Sequence, residues 1–398
     1  MDTNATALVL NSGSSSARFA LYTNQSPPRA VLSGRIERIG QPQAAFQWHD
    51  SVTQETASQT INAPNHTAAA NLLMEWMERR PEMSAIAAVG HRVVHGGPNY
   101  DQPQRVTPQL LAELRRIGPY DPEHFPAQLE LINLFQRRYP RLPQIACFDT
   151  AFHHSMPRVA KILPLPRRYD ARGIRRYGFH GLSYTYLMQE VERLAGPPAA
   201  RGLLILAHLG NGASMAAVKD GRSIDTTMAF TPTAGLPMSS RSGDLDPGVF
   251  IYLARNDGMT PDQFQQVVNY ESGLLGVSET SSDMRDLLAR EGSDVRAAEA
   301  VALFCYQAKK WIGALAAALG GLDTLVFTGG IGENAPVVRA RICDGLGFLG
   351  VELDAARNLS NAPVISRSDG AGRAAVRVIR ANEEVVMAEA VWRQLCKI

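Results

Sequence analysis

The sequence contains no GxxxxGK[ST] phosphate loop, no CxxC pair and no sustained apolar run, and each absence removes a class of protein. Without the first there is no P-loop nucleotide site. The four cysteines, Cys147, Cys305, Cys343 and Cys396, are too scattered for a disulfide framework or a zinc–thiolate site, so they read as reduced, mostly buried thiols. The longest apolar stretch, Trp311 to Leu322, is too short to span a bilayer and is broken by glycines. GGIG at Gly329 to Gly332 lacks the glycine spacing of a dinucleotide-binding turn. Lys and Arg total 40 against 38 for Asp and Glu, so no basic surplus suggests a nucleic-acid partner. The opening MDTNATALVLN has neither a basic n-region nor an apolar h-region, and it reads as a first strand rather than a signal peptide. With no membrane span either, the expected location is the cytoplasm.

What is present is the composition of a globular protein, with 45% hydrophobic and 20% charged residues. A chain of 398 residues is too long for one ordinary core and predicts two domains or three. ALVLN and ARFALYT flank NSGSSS, and VLSGRIERIG follows, so the chain opens as antiparallel strands joined by turns. The same plan returns in the middle with LLILAHL, GNGAS, MAAVKDG and RSIDTTM. The repetition is architectural and predicts an internal duplication. Helical patterns such as HTAAANLLMEWMERR and PAQLELINLFQRRY alternate with strand-like AIAAVGHRVV and QIACFDTAF, and VRAAEAVALFCYQAKKWIGALAAALGG precedes TLVFTGG, which is an α/β order. No long linker marks the division, which is placed near Thr150.

Chemistry concentrates in the loops. Phe230 to Gly248, FTPTAGLPMSSRSGDLDPG, sets Arg241 in a stretch too rich in Gly, Pro and Ser for regular structure. A loop of that length inside a compact domain is usually functional, and a guanidinium suits phosphate or carboxylate. A surface loop with a solvated arginine is the plain alternative. NSGSSS and GNG are candidate anion cradles, because backbone N–H groups in tight Gly/Ser turns form concavities; a simple hairpin turn is again the alternative for either alone.

LVLNSGSSS, GHRVVHGG around Arg92, CFDTAFHHSMP followed by RRYGFHG, the Arg241 loop, HLGNGAS and FTGGIGEN together closely resemble the acetate kinase family, from Leu8 to about Ala388. The resemblance implies a duplicated actin-like (ribonuclease H-like) α/β fold of two domains with an active-site cleft between the lobes. Residues 1–149, completed by 385–398, would form the N-terminal lobe, and residues 150–384 the C-terminal lobe with the nucleotide site. It also implies reversible, Mg2+-dependent phosphoryl transfer from ATP to acetate, giving acetyl phosphate and ADP, with Mn2+ as a substitute metal, in a homodimer. Propionate or another short-chain fatty acid is the alternative acceptor. Carried over residue by residue, Asp149, His180 and Arg241 are catalytic, and Arg92, Val94, Phe179 and Pro232 bind the carboxylic acid. Arg18, His208, Gly210, Asn211, Gly212, Gly329, Gly330, Ile331, Gly332, Glu333 and Asn334 bind the nucleotide, and Asn11 and Glu384 serve the metal.

These roles are chemically sensible. Phosphoryl transfer needs alignment and cations beside the equatorial oxygens, which Arg92 and Arg241 supply. An imidazole at His180 can donate a hydrogen bond to the moving group. The carboxylate nucleophile is already ionised at neutral pH, so no general base is required. Asp149 ends the strand-like QIACFD, where it could instead cap the segment that follows. Mg2+ takes few protein oxygens, so one or two carboxylates suffice, and outside the resemblance Glu384 would read as a solvated helix residue.

The chain departs from the family pattern at Tyr120 to Pro126 (YDPEHFP for PLHNP, keeping His124), at Arg18 for a lysine, at Leu182 and Tyr184 for Thr and His, and at Ala234 and Ser239–Ser240. Acid specificity and rate rest on these positions more than the reaction class does. Two rival classes remain. An actin-like ATPase would need the nucleotide loops but not Arg92, Arg241 and His180. A metallohydrolase built on His91, His95, His153 and His154 would have to use HRVVH on a predicted strand without the HExxH glutamate.

Overall fold

The computed structural model describes residues 5–13, 16–367 and 373–397. Ser14 and Ser15 of the NSGSSS turn lie outside the described residues. The chain forms two compact units, one running to Ala151 and resumed from Asn382, the other Phe152–Ala381. The sequence-based boundaries fall at 149/150 and 384/385.

The first unit is built on strands β1 (Thr6–Ser12), β2 (Ser16–Thr23), β3 (Ala30–Glu37), β4 (Ala44–Asp50), β5 (Thr56–Ile61), β6 (Ile86–Val93), β7 (Gln104–Arg105) and β8 (Gln144–Phe148). Their order is β5-β4-β3-β2-β1-β6-β8-β7. β1 to β5 form an antiparallel meander, whereas β1, β6 and β8 run parallel. Central β1, TALVLNS, is buried along its whole length, which explains its continuous apolar run. β5 is polar and largely exposed, as suits an edge. Helices α1 (His66–Glu78) and α3 (Phe125–Arg138) carry the expected patterns, α2 (Pro108–Arg116) lies between them, and Asn65 and Thr107 cap α1 and α2. The C-terminal helix, Glu383–Leu395, packs on β1, β6 and β8 through Val386, Met387, Ala390, Val391 and Trp392. It sits so close that a Cβ at Gly90 of β6 would lie 2.8 Å from Val391 Cγ2.

The second unit repeats the plan. Strands β9 (Leu203–Leu209), β10 (Ala213–Lys219), β11 (Arg222–Thr226), β12 (Thr324–Thr328) and β13 (Ala375–Val378) are ordered β11-β10-β9-β12-β13. β9 to β11 are antiparallel, and β12 runs parallel to β9 and β13. This matches β3-β2-β1-β6-β8 strand for strand, so the architectural repetition in the sequence is a duplication of sheet topology. Helix α4 (Gly181–Ala200) is broken at Gly196, ahead of two prolines. Helix α5 (Pro247–Asn256) follows the Arg241 loop. Helix α6 (Val295–Leu319) buries Ala297, Val301, Phe304, Ala308, Ile312 and Leu315 at helical spacing, starts on Asp294 and stops at Gly320, whose φ is 81°. Helices α7 (Gly329–Asn334) and α8 (Pro336–Cys343) follow β12. No helix among the described residues is long and apolar enough to cross a membrane. All four cysteines are free, with Cys396 exposed and the other three buried.

Candidate active site

In the first unit, the carboxyl ends of the three parallel strands each present one polar residue: Asn11 from β1, Arg92 from β6 and Asp149 just past β8. Parallel sheets gather their chemistry at that edge. Arg92 donates to Asp149 Oδ2 from Nε (2.9 Å) and Nη2 (2.5 Å), and from Nη1 to Asn11 Oδ1 (3.2 Å). Asn11 Nδ2 in turn donates to Glu383 Oε2 (2.8 Å) and Glu384 Oε1 (3.1 Å). Asn11 therefore bridges a cation and a pair of carboxylates. Both glutamates lie in the first turn of the C-terminal helix, behind Asn382, whose side chain accepts from Val385 N (3.2 Å) and from the Tyr22 hydroxyl (3.2 Å).

The electrostatics follow from burial. Asp149 is 1% exposed. Burial pushes its carboxyl above the ordinary value, and Arg92 pulls the other way. Its Oδ1 is buried with no hydrogen-bond partner among the described residues, so Asp149 is held by Arg92 through one oxygen and does not serve as an N-cap through the other. Burial also raises the Glu384 carboxyl, Glu383 adds to the rise, and the nearby Arg18 charge opposes it. Two carboxylates in one turn, one of them uncomfortable as an anion, fit a hard cation that takes oxygen ligands. Arg18 is opposite Asn11 in the β1–β2 register and is exposed. Among the described residues, no group of three or more His, Cys, Asp and Glu side chains has the arrangement of a complete metal cage. Val94 is buried after β6, its N–H donating to Gln128 Oε1. His124 stands at the N-cap position of α3 without capping it through its side chain, its ring being hydrogen-bonded to Asp121 of the departing YDPEHFP segment.

The second unit gathers its own group at the ends of β9 and β12. His208 is the next-to-last residue of β9, the Gly210–Asn211–Gly212 turn leads into β10, and Thr328 beside His208 leads into α7. The His180 ring stacks on His208 with centroids 4.4 Å apart. His180 itself has φ 59°, a left-handed backbone unusual for a side-chain-bearing residue, at the N-cap of α4. Two glycines keep this group open. A Cβ on Gly212 would lie 3.2 Å from His180 Nε2 and 3.8 Å from Arg241 Nη1, and one on Gly210 would lie 3.7 Å from His208 Nε2 and 3.8 Å from Gly330 N. Gly329 has φ 78°, and a Cβ there would be 2.6 Å from Leu209 O, so no other residue fits.

The Arg241 loop is not a loose surface excursion. Ser239 N donates to Asn211 O (3.1 Å), Asp244 and Gly235 exchange hydrogen bonds, Ser242 N donates to Val268 O, and Leu236 and Met238 are fully buried. Arg241 is half-buried, with Nη1 3.5 Å from Pro232 O. Phe179 and Pro232, the expected acid-binding residues of this unit, are both buried. In α7, Glu333 turns inward: Oε1 accepts from Gly329 N, Thr328 Oγ1 and Ala381 N. Asn334 Nδ2 donates to Gly330 O, while Ile331 is partly exposed. Glu333 thus holds the shape of the turn between β12 and α7.

Several residues of this group carried no motif signal. Glu383 makes the shorter contact to Asn11. Ser214 Oγ lies 2.8 Å from His180 Nδ1 and is also hydrogen-bonded to the Tyr184 hydroxyl, and Ser183 Oγ lies 2.8 Å from His208 Nδ1. Arg339, fully buried, donates to Gly332 O, Asn358 and Asn361 and ties α7 to the helix after it. Of the four histidines of the metallohydrolase alternative, His91 pairs with the Gln144 amide, His95 Nδ1 accepts from Gly97 N, His153 contacts Ser223 Oγ and Phe179 O, and His154 is exposed.

Comparison with known proteins decides among the classes this geometry leaves open. A model of the Acetokinase family matches residues 6–389. The chain belongs to the acetokinase family. It is 45% identical over 396 residues to an acetate kinase of Rhodopseudomonas palustris, covering 97% of each chain. It is 41% identical over 391 residues to a propionate kinase of Citrobacter rodentium, again covering 97% of each. Among solved structures, the acetate kinase of Porphyromonas gingivalis superimposes with a TM-score of 0.86 at 34% identity, over 98% of this chain and 100% of that one. The two-sheet duplicated plan is thus the acetokinase fold, and Asn11, Arg92, Asp149 and His208 sit at or just past the ends of its strands.

Proposed function

We propose that this acetokinase transfers the γ-phosphoryl group of ATP to acetate, reversibly and in line, giving acetyl phosphate and ADP. The observation that carries the reading is that His180 Nε2 and Arg241 Nη1 flank the side-chain-free face of Gly212, 3.2 and 3.8 Å from where its Cβ would lie. In the forward direction an acetate oxygen forms a bond to the γ-phosphorus as the bond to the bridging oxygen of ADP breaks. Charge on the equatorial oxygens is met by Arg241 and by a hydrogen bond from His180. Arg92, held rigid by Asp149 and Asn11, orients the carboxylate. Asp149 fixes that guanidinium and leaves one oxygen uncommitted. Val94, Phe179 and Pro232 form the apolar contacts for the methyl group. His208, Gly210 to Gly212 and Gly329 to Asn334 hold the nucleotide, with Arg18 at its phosphates. Glu384 and Asn11, joined by Glu383, would hold Mg2+, with Mn2+ as a substitute; when bound, the ion neutralises charge on the ATP phosphates.

Propionate is the second acceptor to weigh, because a propionate kinase stands at 41% identity. One methylene changes selectivity by only about 1–3 kcal/mol in such a pocket, so both acids are expected to react. A homodimer in the cytoplasm completes the proposal. Its support is α5, none of whose residues is buried and which exposes Val249, Ile251 and Tyr252. An acyl-hydroxamate trapping assay with ATP and Mg2+, run with acetate, propionate, butyrate and no acid, tests the function. Product with acetate supports it, a maximum at propionate moves the substrate, and ATP hydrolysis without acid-dependent product replaces it with an ATPase.

A further inference from the structure

An imidazole donates from only one nitrogen when neutral, and which one is set by the partner of the other. His180 Nδ1 has Ser214 Oγ at 2.8 Å, and Ser214 Oγ is also in hydrogen-bond contact with the Tyr184 hydroxyl. Ser214 and Tyr184 are both fully buried. The Tyr184 ring is enclosed by Phe152, His153, Leu187 and Val191, with ring centroids 5.7 and 5.6 Å from Phe152 and His153. The hydroxyl's hydrogen therefore has one acceptor, Ser214 Oγ. Burial pushes the phenol above its ordinary value, so that hydrogen stays in place at working pH. Three arrangements are conceivable, and in the one where His180 Nδ1–H and the phenol both donate to Ser214 Oγ the serine hydrogen would be buried without an acceptor. If His180 Nδ1–H donated to Ser214 and Ser214 to Tyr184, the phenol hydrogen would be buried without an acceptor. If Tyr184 donates to Ser214 and Ser214 donates to Nδ1, every hydrogen is used, as is the rule for buried polar groups. This last arrangement makes Nδ1 an acceptor and leaves the proton on Nε2. That atom is the one 3.2 Å from the Cβ position of Gly212, beside Arg241.

We propose that Tyr184 and Ser214 are positioning residues that lock His180 in its Nε2–H form, so that a neutral ring arrives as a donor to the transferred phosphoryl group. The tautomer stands on geometry alone; its value to phosphoryl transfer rests on the function proposed above. Tyr184 replaces the histidine common at this place in the family pattern. A phenol has one hydrogen to give and no second tautomer, so this chain fixes the direction of the relay that an imidazole would leave free. The backbone holds the ring for the same purpose: His180 is left-handed, and His153 Nε2 lies 3.0 Å from Phe179 O, the carbonyl just before it.

The test is nitrogen-15 NMR of the full-length chain labelled in histidine, with His180 assigned by comparison with His180→Asn. The expected pattern is a pyridine-type Nδ1 and a pyrrole-type Nε2. Tyr184→Phe keeps the ring packing and removes the donor, so it should show a mixture of tautomers, with kcat lowered roughly 3- to 10-fold and KM for ATP and acid within about twofold, as for an interaction felt mainly in the transition state. Ser214→Ala should lower kcat further, with its thermal midpoint checked to show that it folds. A pyrrole-type Nδ1 in the parent chain overturns the lock, as does a Tyr184→Phe variant with unchanged spectrum and kcat. Should Tyr184→Phe not fold, the parent spectrum and Ser214→Ala decide. A parent chain with the expected spectrum but no acid-dependent kinase activity upholds the lock and overturns the functional reading.

Discussion

Lowering the pH from 7.5 to 5.0 should destabilise the second unit through one residue, His153. Its ring is 1% exposed, with Nδ1 2.8 Å from Ser223 Oγ and Nε2 3.0 Å from Phe179 O, and it packs edge-on against Phe152 and Tyr184. Burial, offset in part by the Phe179 carbonyl and reinforced by Arg176, brings its pKa down to about 4 from the ordinary 6.5. The folded state thus binds fewer protons than the unfolded state between those values. Stability is complete above pH 6.5, falls as the pH drops through the window, and levels off below pH 4. The slope is about 1.4 kcal/mol per pH unit, so the loss reaches roughly 2 kcal/mol at pH 5. That is a large share of a typical folding stability of about 5–15 kcal/mol. Urea unfolding at pH 7.5, 6.0 and 5.0, monitored by circular dichroism, measures it. Raised carboxyls such as Asp149 and Glu384 act in the opposite sense, so the comparison must be with His153→Gln, which keeps hydrogen-bonding groups and cannot titrate. The variant should start less stable at pH 7.5 and lose about 2 kcal/mol less on acidification. Equal losses in the two proteins would refute the argument. His91, brought to about 4 by burial in the first unit, should impose a loss of the same size there, so a biphasic curve should show both phases shifting.

Arg241→Leu should lower turnover by orders of magnitude while nucleotide binding, followed by fluorescence titration, stays near normal; retained turnover would remove Arg241 from the mechanism. Arg92→Leu should have the same kinetic effect and also destabilise the first unit by about 3–5 kcal/mol, because it strands the buried Asp149 carboxylate. Chemical denaturation reads that cost, and restoration by a second change, Asp149→Asn, checks its origin. Glu384→Ala should raise the Mg2+ concentration needed for half-maximal activity several-fold or abolish activity, and an unchanged Mg2+ titration would exclude the residue from metal binding. Gly329→Ala should cost stability and nucleotide affinity together, since its Cβ would sit 2.6 Å from Leu209 O at a φ of 78°.

The fold was legible because its signals are local. β1, β9 and β12 announce themselves as short runs buried on both faces, and α6 as a periodic stripe between Asp294 and Gly320. The duplication could be seen from the order of strand, turn, strand, even though the residues of the two halves differ, because the hydrogen-bond ladder constrains where turns fall and not which apolar residue fills each place. The break in α4 is marked by Gly196 and the prolines after it. The return of the C-terminal helix to the first unit, from Asn382, was implied by the family resemblance and carries no local signal of its own. The return depends on Gly90, far away in sequence, leaving room for Val391.

The site was legible only where a residue occupies a strand end or a loop of unusual composition. Arg92, Asp149, His208 and Arg241 all meet that description. Ser214, Tyr184, Glu383 and Arg339 do not: they lie within a strand or a helix, in contexts where Ser, Tyr, Glu and Arg have ordinary structural uses. What gives them meaning is a partner reached through the fold. Ser214 faces His208 across the β9–β10 ladder and His180 from the cap of α4. Arg339 reaches Gly332 and two asparagines from 19 and 22 residues further on. Such contacts leave no periodicity and no spacing rule, because any neighbour of the right geometry satisfies a buried polar side chain. The sequence therefore names candidate groups at strand ends and in loops, whereas the groups that hold and orient them emerge only once the strands are in register. His180 shows why the distinction matters: its place in RRYGFHG predicts an imidazole at the phosphoryl group, yet the nitrogen that carries its proton is chosen by Tyr184, four residues along α4 and reached through a serine on another strand.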